Sequence, residues 1–218
     1  MGNAEDAGQR TRVRPARHED VPALVEVMVA AFADDPVHHW LYPDAGTRPD
    51  VHRRLFAFLL RCGLRHGGVW TDTGLRGMAL WVAPGEREMT DDETDVYLRM
   101  RREDMGERAG PVGEALWAIG ASAPAEPFAL LDFLAVHPDH QGQGLGTALA
   151  TPVLDRCDAD GASAWLVSSS PRNLSLYRRL GFRDSGTVQL AGGPPMWEML
   201  RPASPRPAGL SRAPGLCR

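Results

Sequence analysis

The sequence predicts one mixed α/β domain, an α+β arrangement around a single mixed sheet, over residues 11–202, and three observations carry that expectation. Leu130 to Gly146 (LLDFLAVHPDHQGQGLG) reads as an apolar strand, a short turn and a glycine-rich loop that opens a helix. Strand-like runs alternate along the chain with segments whose apolar residues fall at helical spacing. The chain then closes on a hairpin pattern, 182–191 and 196–201 around Gly192-Gly193-Pro194. At 218 residues and 43% hydrophobic content, one core can be buried.

The elements follow in order. Residues 1–10 are polar and are expected to be disordered. Thr11 to Ala16 alternates and gives a first strand. Val21, Leu24, Val25, Met28, Val29 and Phe32 mark a helix, with Asp20 as its N-cap and Pro22 in its first turn. Asp34-Asp35-Pro36 ends it, and 37–50 is expected to be a loop with at most one helical turn. Val51 to His66 is a second amphipathic helix with Leu55, Phe58, Leu59 and Cys62 inward, stopped at Gly67-Gly68. Residues 69–73 and 75–83 form an antiparallel pair. Residues 86–127 are charged and helical in two pieces, with no chemistry assigned. Then come the central strand 128–136, a helix 144–157 expected to kink at Pro152, a strand 164–169, a short helix 173–180 and the hairpin. Residues 203–218, rich in Pro and Arg with no acid, are expected to be a disordered tail.

The net charge of −4 is modest and points neither to nucleic acid nor to an anionic membrane as partner. Cys62, Cys157 and Cys217 are odd in number and widely spaced, which argues against a disulfide framework or a zinc site and fits a reducing cytoplasm. No apolar run approaches the ~20 residues of a membrane span. His38 and His39 beside Asp34 and Asp35 could suggest a metal, but adjacent histidines point apart. The same stretch, with Trp40 and Tyr42, fits either a lid over an organic cation, with Asp34, Asp35 and Trp40 as its contacts, or a plain connector anchored on Trp40 and Leu41.

Glycines packed as in Gln141-Gly142-Gln143-Gly144-Leu145-Gly146 let backbone approach a ligand, and their N–H groups at a helix start make an anion site, read here as one for pyrophosphate. A nucleoside-triphosphate loop is excluded because no Lys-Ser/Thr pair follows in frame. A dinucleotide fingerprint would need glycine where Thr147 stands. The pattern [QR]-x-x-G-x-[GA] after a strand ending in Val-x-Pro does match, with Leu134, Val136 and Pro138 upstream. This stretch resembles the acyl-CoA signature of the GNAT superfamily of N-acetyltransferases.

A second stretch, Ser170 to Phe182 (SPRNLSLYRRLGF), resembles the segment that carries Asn and Tyr in the same superfamily. Within it the chain looks most like puromycin N-acetyltransferase-like enzymes, through AAFAD at Ala30 to Asp34, PDHQGQGLG, Pro152, PRNLSLYRRLGF and GPPMWEM. The resemblance implies a GNAT fold, a mostly antiparallel sheet with a splayed central strand pair flanked by helices. It implies acetyl-CoA as co-substrate. Its pantetheine would lie along the backbone of Leu134, Ala135 and Val136, and its pyrophosphate on the loop from Gln141 through Gly142, Gln143, Gly144, Leu145 and Gly146 to Thr147. Asn173 would bond the pantetheine arm, and Tyr177 would face the thioester sulfur. The implied reaction is direct acetyl transfer to a primary amine of a small molecule, an antibiotic or related metabolite, by a monomer or homodimer. Acetylation of a protein N-terminus or lysine, and a non-catalytic acyl-CoA sensor, are the alternatives.

Amide formation from a thioester needs a base for the amine and an acid for the departing thiolate. Tyr177, one of three tyrosines, is the acid candidate, against a role as a core tyrosine. Asp132 interrupts the apolar run LLDFLAV and by alternation shares a face with Leu134 and Val136, which makes it the base candidate or else a buried acid paired with an arginine. Some members of the superfamily carry an acidic residue on the next strand, where this chain has Val167. Asp34, Asp35, a water relay and Glu198 on the closing strand are the other bases weighed. Cys157 is read as core, and His137 and His140 as solvated loop histidines.

Overall fold

The strand that carries the glycine loop lies in the middle of the sheet. β4 (Phe128–Val136) has β3 (Gly77–Val82) antiparallel on one side and β5 (Ser163–Ser168) parallel on the other. With β1 (Val13–Pro15), β2 (Val69–Asp72), β6 (Arg183–Gln189) and β7 (Pro195–Arg201), the seven strands run in the order β1-β2-β3-β4-β5-β7-β6. Every neighbouring pair except β4–β5 is antiparallel. The structure, a computed structural model, describes residues 12–204. The expected disordered N-terminus, 1–10, lies outside the described residues, as does the expected tail beyond Ser204.

Two apolar layers sandwich the sheet. On one face α1 (Val21–Ala31), α2 (Pro36–Leu41), α3 (Arg48–Arg65), α4 (Asp91–Met105) and α5 (Ala109–Ala121) enclose a core centred on Met28, Phe56, Leu60 and Met78. On the other, α6 (Leu145–Asp160) and α7 (Leu174–Arg179) cover Ala79, Leu131, Leu149 and Leu166. In α3 the buried residues Leu55, Phe56, Leu59, Leu60 and Cys62 recur every three to four positions, the stripe an amphipathic helix needs. α4 begins at a reciprocal cap: Thr90 accepts from the Glu93 N–H, and Glu93 accepts from the Thr90 N–H. Glu93 also binds Arg65, which ties α4 to the end of α3.

Three expectations are corrected. Asp20 does not cap α1. Its carboxylate is buried and takes two bonds from Arg14, at 2.7 and 2.9 Å, and one from the Arg17 N–H, so it pins β1 to the helix entry instead. The stretch after α1 is not mainly loop: Asp35 accepts from the N–H groups of Val37 and His38, and Pro36 occupies the first helical position of α2. Six residues are too few for a helical period to show in the sequence. α3 starts three residues before Val51, with Pro49 in its first turn. α6 is assigned as helix through Pro152 to Asp160.

α2 and α3 meet at a buried histidine pair. His38 Nδ1 and His52 Nε2 are 3.0 Å apart among Phe32, Tyr42 and Phe56, and His39, one residue on, turns to solvent. Burial pushes both rings down to about 3, so both are neutral and one donates to the other. The unfolded chain, with histidines near 6.5, takes up protons first, so the contribution is complete above that value and falls as pH drops toward 3. The urea midpoint is therefore expected to fall between pH 7 and pH 5, and the double variant His38→Gln/His52→Gln should flatten that slope; an unchanged slope would remove the pair as its source.

Candidate active site

β4 and β5 pair only at Phe128–Leu130 with Ser163–Trp165. Beyond that point β5 continues against β7, while β4 runs on to Val136 beside β3 alone. The splay opens a cleft of about 520 Å³. The His137 N–H bonds to Arg76 O at 2.9 Å, which turns that residue toward the β3 edge. By the two-residue alternation of an antiparallel ladder, Leu134 and Val136 then present N–H and C=O to the open edge. Both line the cleft. Ala135, between them, is buried and faces β3 with its backbone.

The loop enters this cleft from β4. Gly142 and Gly144 adopt φ of +74° and +82°, where an L side chain is strained, and nothing lies within 4 Å of where their Cβ atoms would be. Gly144 is the N-cap of α6 and offers no side chain to it, so the N–H groups of Leu145, Gly146 and Thr147 are free of intrahelical acceptors at the positive end of a 16-residue helix. Gln141 steadies the loop, donating from Nε2 to Val136 O at 3.0 Å. Gln143 reaches back to Asp139 O and is not part of the cleft wall. A pyrophosphate fits this donor set, and the arginines that the sequence reading passed over, Arg172 and Arg179, line the same cleft with His140. Arg172 stands beside Asn173 in the stretch already singled out, which was the signal available for it.

The opposite wall is α7 with the turn before it. Asn173 is exposed there and caps nothing with its side chain, so its amide is available to a ligand. Tyr177 is 7% exposed, packs its ring edge-on to Phe182 and lines the cleft. Burial pushes its phenol up to about 12, so the hydroxyl keeps its proton at neutral pH and is present as a proton donor. The third wall is the end of α1: Phe32, Asp34 and Asp35. Asp35 holds α2 with one oxygen and receives the Ser169 hydroxyl on the other, which joins α1 and α2 to the end of β5.

Besides Ala135 and Gln143, two sequence candidates, Asp132 and Trp40, are not in this cleft. Asp132 does not share a face with Leu134 and Val136. The ladder pairs Leu80 with Phe133 and Trp81 with Leu131, leaving Asp132 as the extra residue of a β-bulge, and parity changes across it. Asp132 lines a small separate cavity with Cys62, His66 and Glu88, where burial and then Glu88 push its carboxyl well above the usual range. Trp40 packs on Gly193 in the β6–β7 turn, and its carbonyl accepts from Arg108 at 2.6 Å. Cys62 and Cys157 are buried free thiols. Among the described residues no group of three His, Cys, Asp or Glu side chains could hold a metal ion, and no helix is long and apolar enough to cross a membrane.

Glycine geometry at the α6 start yields a direct test. Gly144→Val places a β-branched side chain at φ +82° and should raise the KM for acetyl-CoA at least ~10-fold, from a backbone cost of about 1–2 kcal/mol. Initial rates against acetyl-CoA concentration check it; an unchanged KM would mean that the loop does not touch the nucleotide.

Comparison with known proteins agrees with this geometry. Residues 118–201, which contain β4, the loop, α6, β5, α7 and the closing hairpin, match the family model described as Acetyltransferase (GNAT) domain. A Corynebacterium glutamicum protein described as a histone acetyltransferase and related acetyltransferase is 26% identical, with a TM-score of 0.68 over 90% of this chain and 98% of its own. A Drosophila melanogaster polyamine N-acetyltransferase is 15% identical, with a TM-score of 0.58 over 87% of this chain and 98% of its own. An agmatine N-acetyltransferase variant is 16% identical, with a TM-score of 0.56 over 87% and 97%. The last two share the fold. The splayed pair and the loop lie in the segment, residues 118–201, that matches the GNAT acetyltransferase domain, and the chain is an acyltransferase.

Proposed function

We propose that the protein transfers an acetyl group from acetyl-CoA to the primary amine of a small cationic molecule in a ternary complex. The observation that carries this reading is one continuous cleft that joins the anion-binding end of α6, across the β4–β5 splay, to Asp34 and Asp35 at the end of α1. One end suits a pyrophosphate and the other a cation. That the polyamine and agmatine enzymes share the fold supports a small-amine acceptor. An antibiotic or related metabolite of puromycin type belongs to that class, on the strength of the sequence stretches shared with such enzymes. Acetylation of a protein tail is the second reading. The C. glutamicum likeness favours it, whereas α2, held by Asp35 at its N-terminus and by Arg108 at Trp40 and Leu41, favours an enclosed acceptor. The buried free thiols Cys62 and Cys157 suit the reducing cytoplasm.

Acetyl-CoA supplies the activated acetyl group as a thioester. The residues of this chain do the rest. The N–H groups of Leu145, Gly146 and Thr147 neutralise the pyrophosphate, and Arg172 and Arg179 add charge beside it. Leu134 and Val136 present backbone donors at the open edge of β4, where they can take a developing oxyanion. Asn173 orients the pantetheine arm. Tyr177 gives its proton to the departing thiolate, a need that is moderate because a thiol pKa is ~8.5.

The test is release of free thiol from acetyl-CoA with agmatine, spermidine, phenethylamine and puromycin. All 24 of the chain's Lys and Arg residues are arginine, so thiol released from lysine self-acetylation cannot mimic turnover. Turnover with at least one amine is expected, and Tyr177→Phe should lower kcat ~10²-fold while acetyl-CoA binding holds. Tight acetyl-CoA binding without turnover on any amine would favour the sensor.

A further inference from the structure

The turn between α1 and α2, Phe32 to Asp35, bridges the two splayed strands. At the β4 bank the Phe32 ring lies edge-on to Phe133, with 5.6 Å between centroids. At the other bank Asp35 receives the hydroxyl of Ser169, the residue that follows β5. Ser168, Ser169 and Ser170 stand in a row there, and the outer two are spent locally. Ser168 Oγ donates to Ser170 O at 2.9 Å, and Ser170 Oγ accepts from the Arg172 N–H at 3.4 Å. Of the three, only Ser169 reaches across the molecule, to a residue 134 positions away.

The turn anchors both neighbours of Asp34 and leaves Asp34 free. Ala33 O accepts a bond from His39 Nε2 at 2.7 Å. Asp35 takes the Val37 and His38 N–H groups on one oxygen and Ser169 on the other. Asp34 is exposed, lines the cleft and takes part in no ion pair among the described residues. Its oxygens are open to a ligand, whereas those of Asp35 are already met by donors.

The remaining bonds of the turn run within residues 32–39, so they fix its shape but not its place over the sheet. Arg108 and Gly193 hold the far end of α2, and a helix of six residues cannot hold its own start. Ring packing at Phe32 tolerates sliding. A hydrogen bond to a carboxylate sets direction as well as distance, so the Ser169 contact places the turn at the β5 bank.

We infer that Ser169 is a positioning residue for the acceptor: through Asp35 it fixes the α1–α2 turn so that Asp34 faces the splay and receives the acceptor's cationic group. This rests on the acetyl-transfer reading and gives its two aspartates different tasks. Asp35 builds the wall, and Asp34 meets the ligand. Asp35 is half-buried, so water can replace the lost hydroxyl in Ser169→Ala and the chain keeps its fold.

The experiment is a double-mutant cycle on amine binding. Wild type, Ser169→Ala, Asp34→Asn and the double variant are each loaded with CoA and titrated by calorimetry with agmatine, spermidine, phenethylamine and puromycin. For at least one amine, Asp34→Asn should weaken binding ~10-fold and Ser169→Ala ~5-fold, with CoA affinity within twofold. The double variant should match Asp34→Asn within about twofold, because nothing is left to position once the carboxylate is gone. Ser169→Thr, which keeps the hydroxyl, should bind as wild type does. In turnover, the Ser169→Ala loss should appear in the amine KM rather than in kcat. Losses that multiply to ~50-fold in the double variant would overturn the route through Asp34. Equal amine binding by wild type and Ser169→Ala would overturn the positioning role, even if turnover persists. If none of the four amines binds wild type, no cation site exists and the role of Ser169 is overturned with it. Amines that bind with the expected pattern but are not turned over support the role of Ser169 and count against acetyl transfer instead.

Discussion

The pairing of β4 with β5 stops after Leu130 and Trp165, and the functional geometry depends on that stop. Unpaired backbone groups inside a sheet are costly. Here they are tolerable because the open edge of β4 faces a cleft where a ligand or water can satisfy them. The rest of the sheet keeps the gap open. β3 holds β4 along its length, and β7 holds β5 from Ala164 to Ser168, so neither strand can relax toward the other without breaking an antiparallel ladder.

The gap then sorts charge. On the α6 side, the end of a long helix and two arginines make a positive wall. On the α1 side, Asp34 and Asp35 make a negative one. Phe32 and Phe133, 5.6 Å apart between ring centres, pack against the aromatic layer that also holds the His38–His52 pair. The acidic wall is therefore mounted on a packed core rather than on a free loop, and Asp35 itself is fixed by three hydrogen bonds.

Buried acids in this fold follow the rule that a charge is paired or used. The Asp72 carboxylate shows the paired case. Burial would raise it, but the Arg76 side chain and the N–H groups of Arg76 and Gly74 outweigh burial and hold it below the usual range. Asp132 and Glu88 show a third outcome, in which desolvation raises both and the pair keeps a proton more readily.

Much of this was legible in local sequence. Strand β4 is bounded at Phe128 and Val136 as its apolar run indicates, and the start of α6 follows from Gly144 and Gly146, because hydrophobic runs and glycine φ requirements act within a few residues. α2 was missed although Asp35-Pro36 carries a start signal, since six residues show no period. The facing of Asp132 was misread because alternation holds only between bulges, and a bulge is set by how β3 and β4 register. By itself the sequence determined the order of the strands, the glycine loop that opens α6 and the Asn173–Tyr177 segment, all of which depend on neighbours along the chain. Only the tertiary structure decided that Asp132 leaves the cleft, that Asp35 meets Ser169, and that Glu198 stands opposite Val167 without a partner, because strand register and side-chain burial are fixed by contacts between residues far apart in the chain.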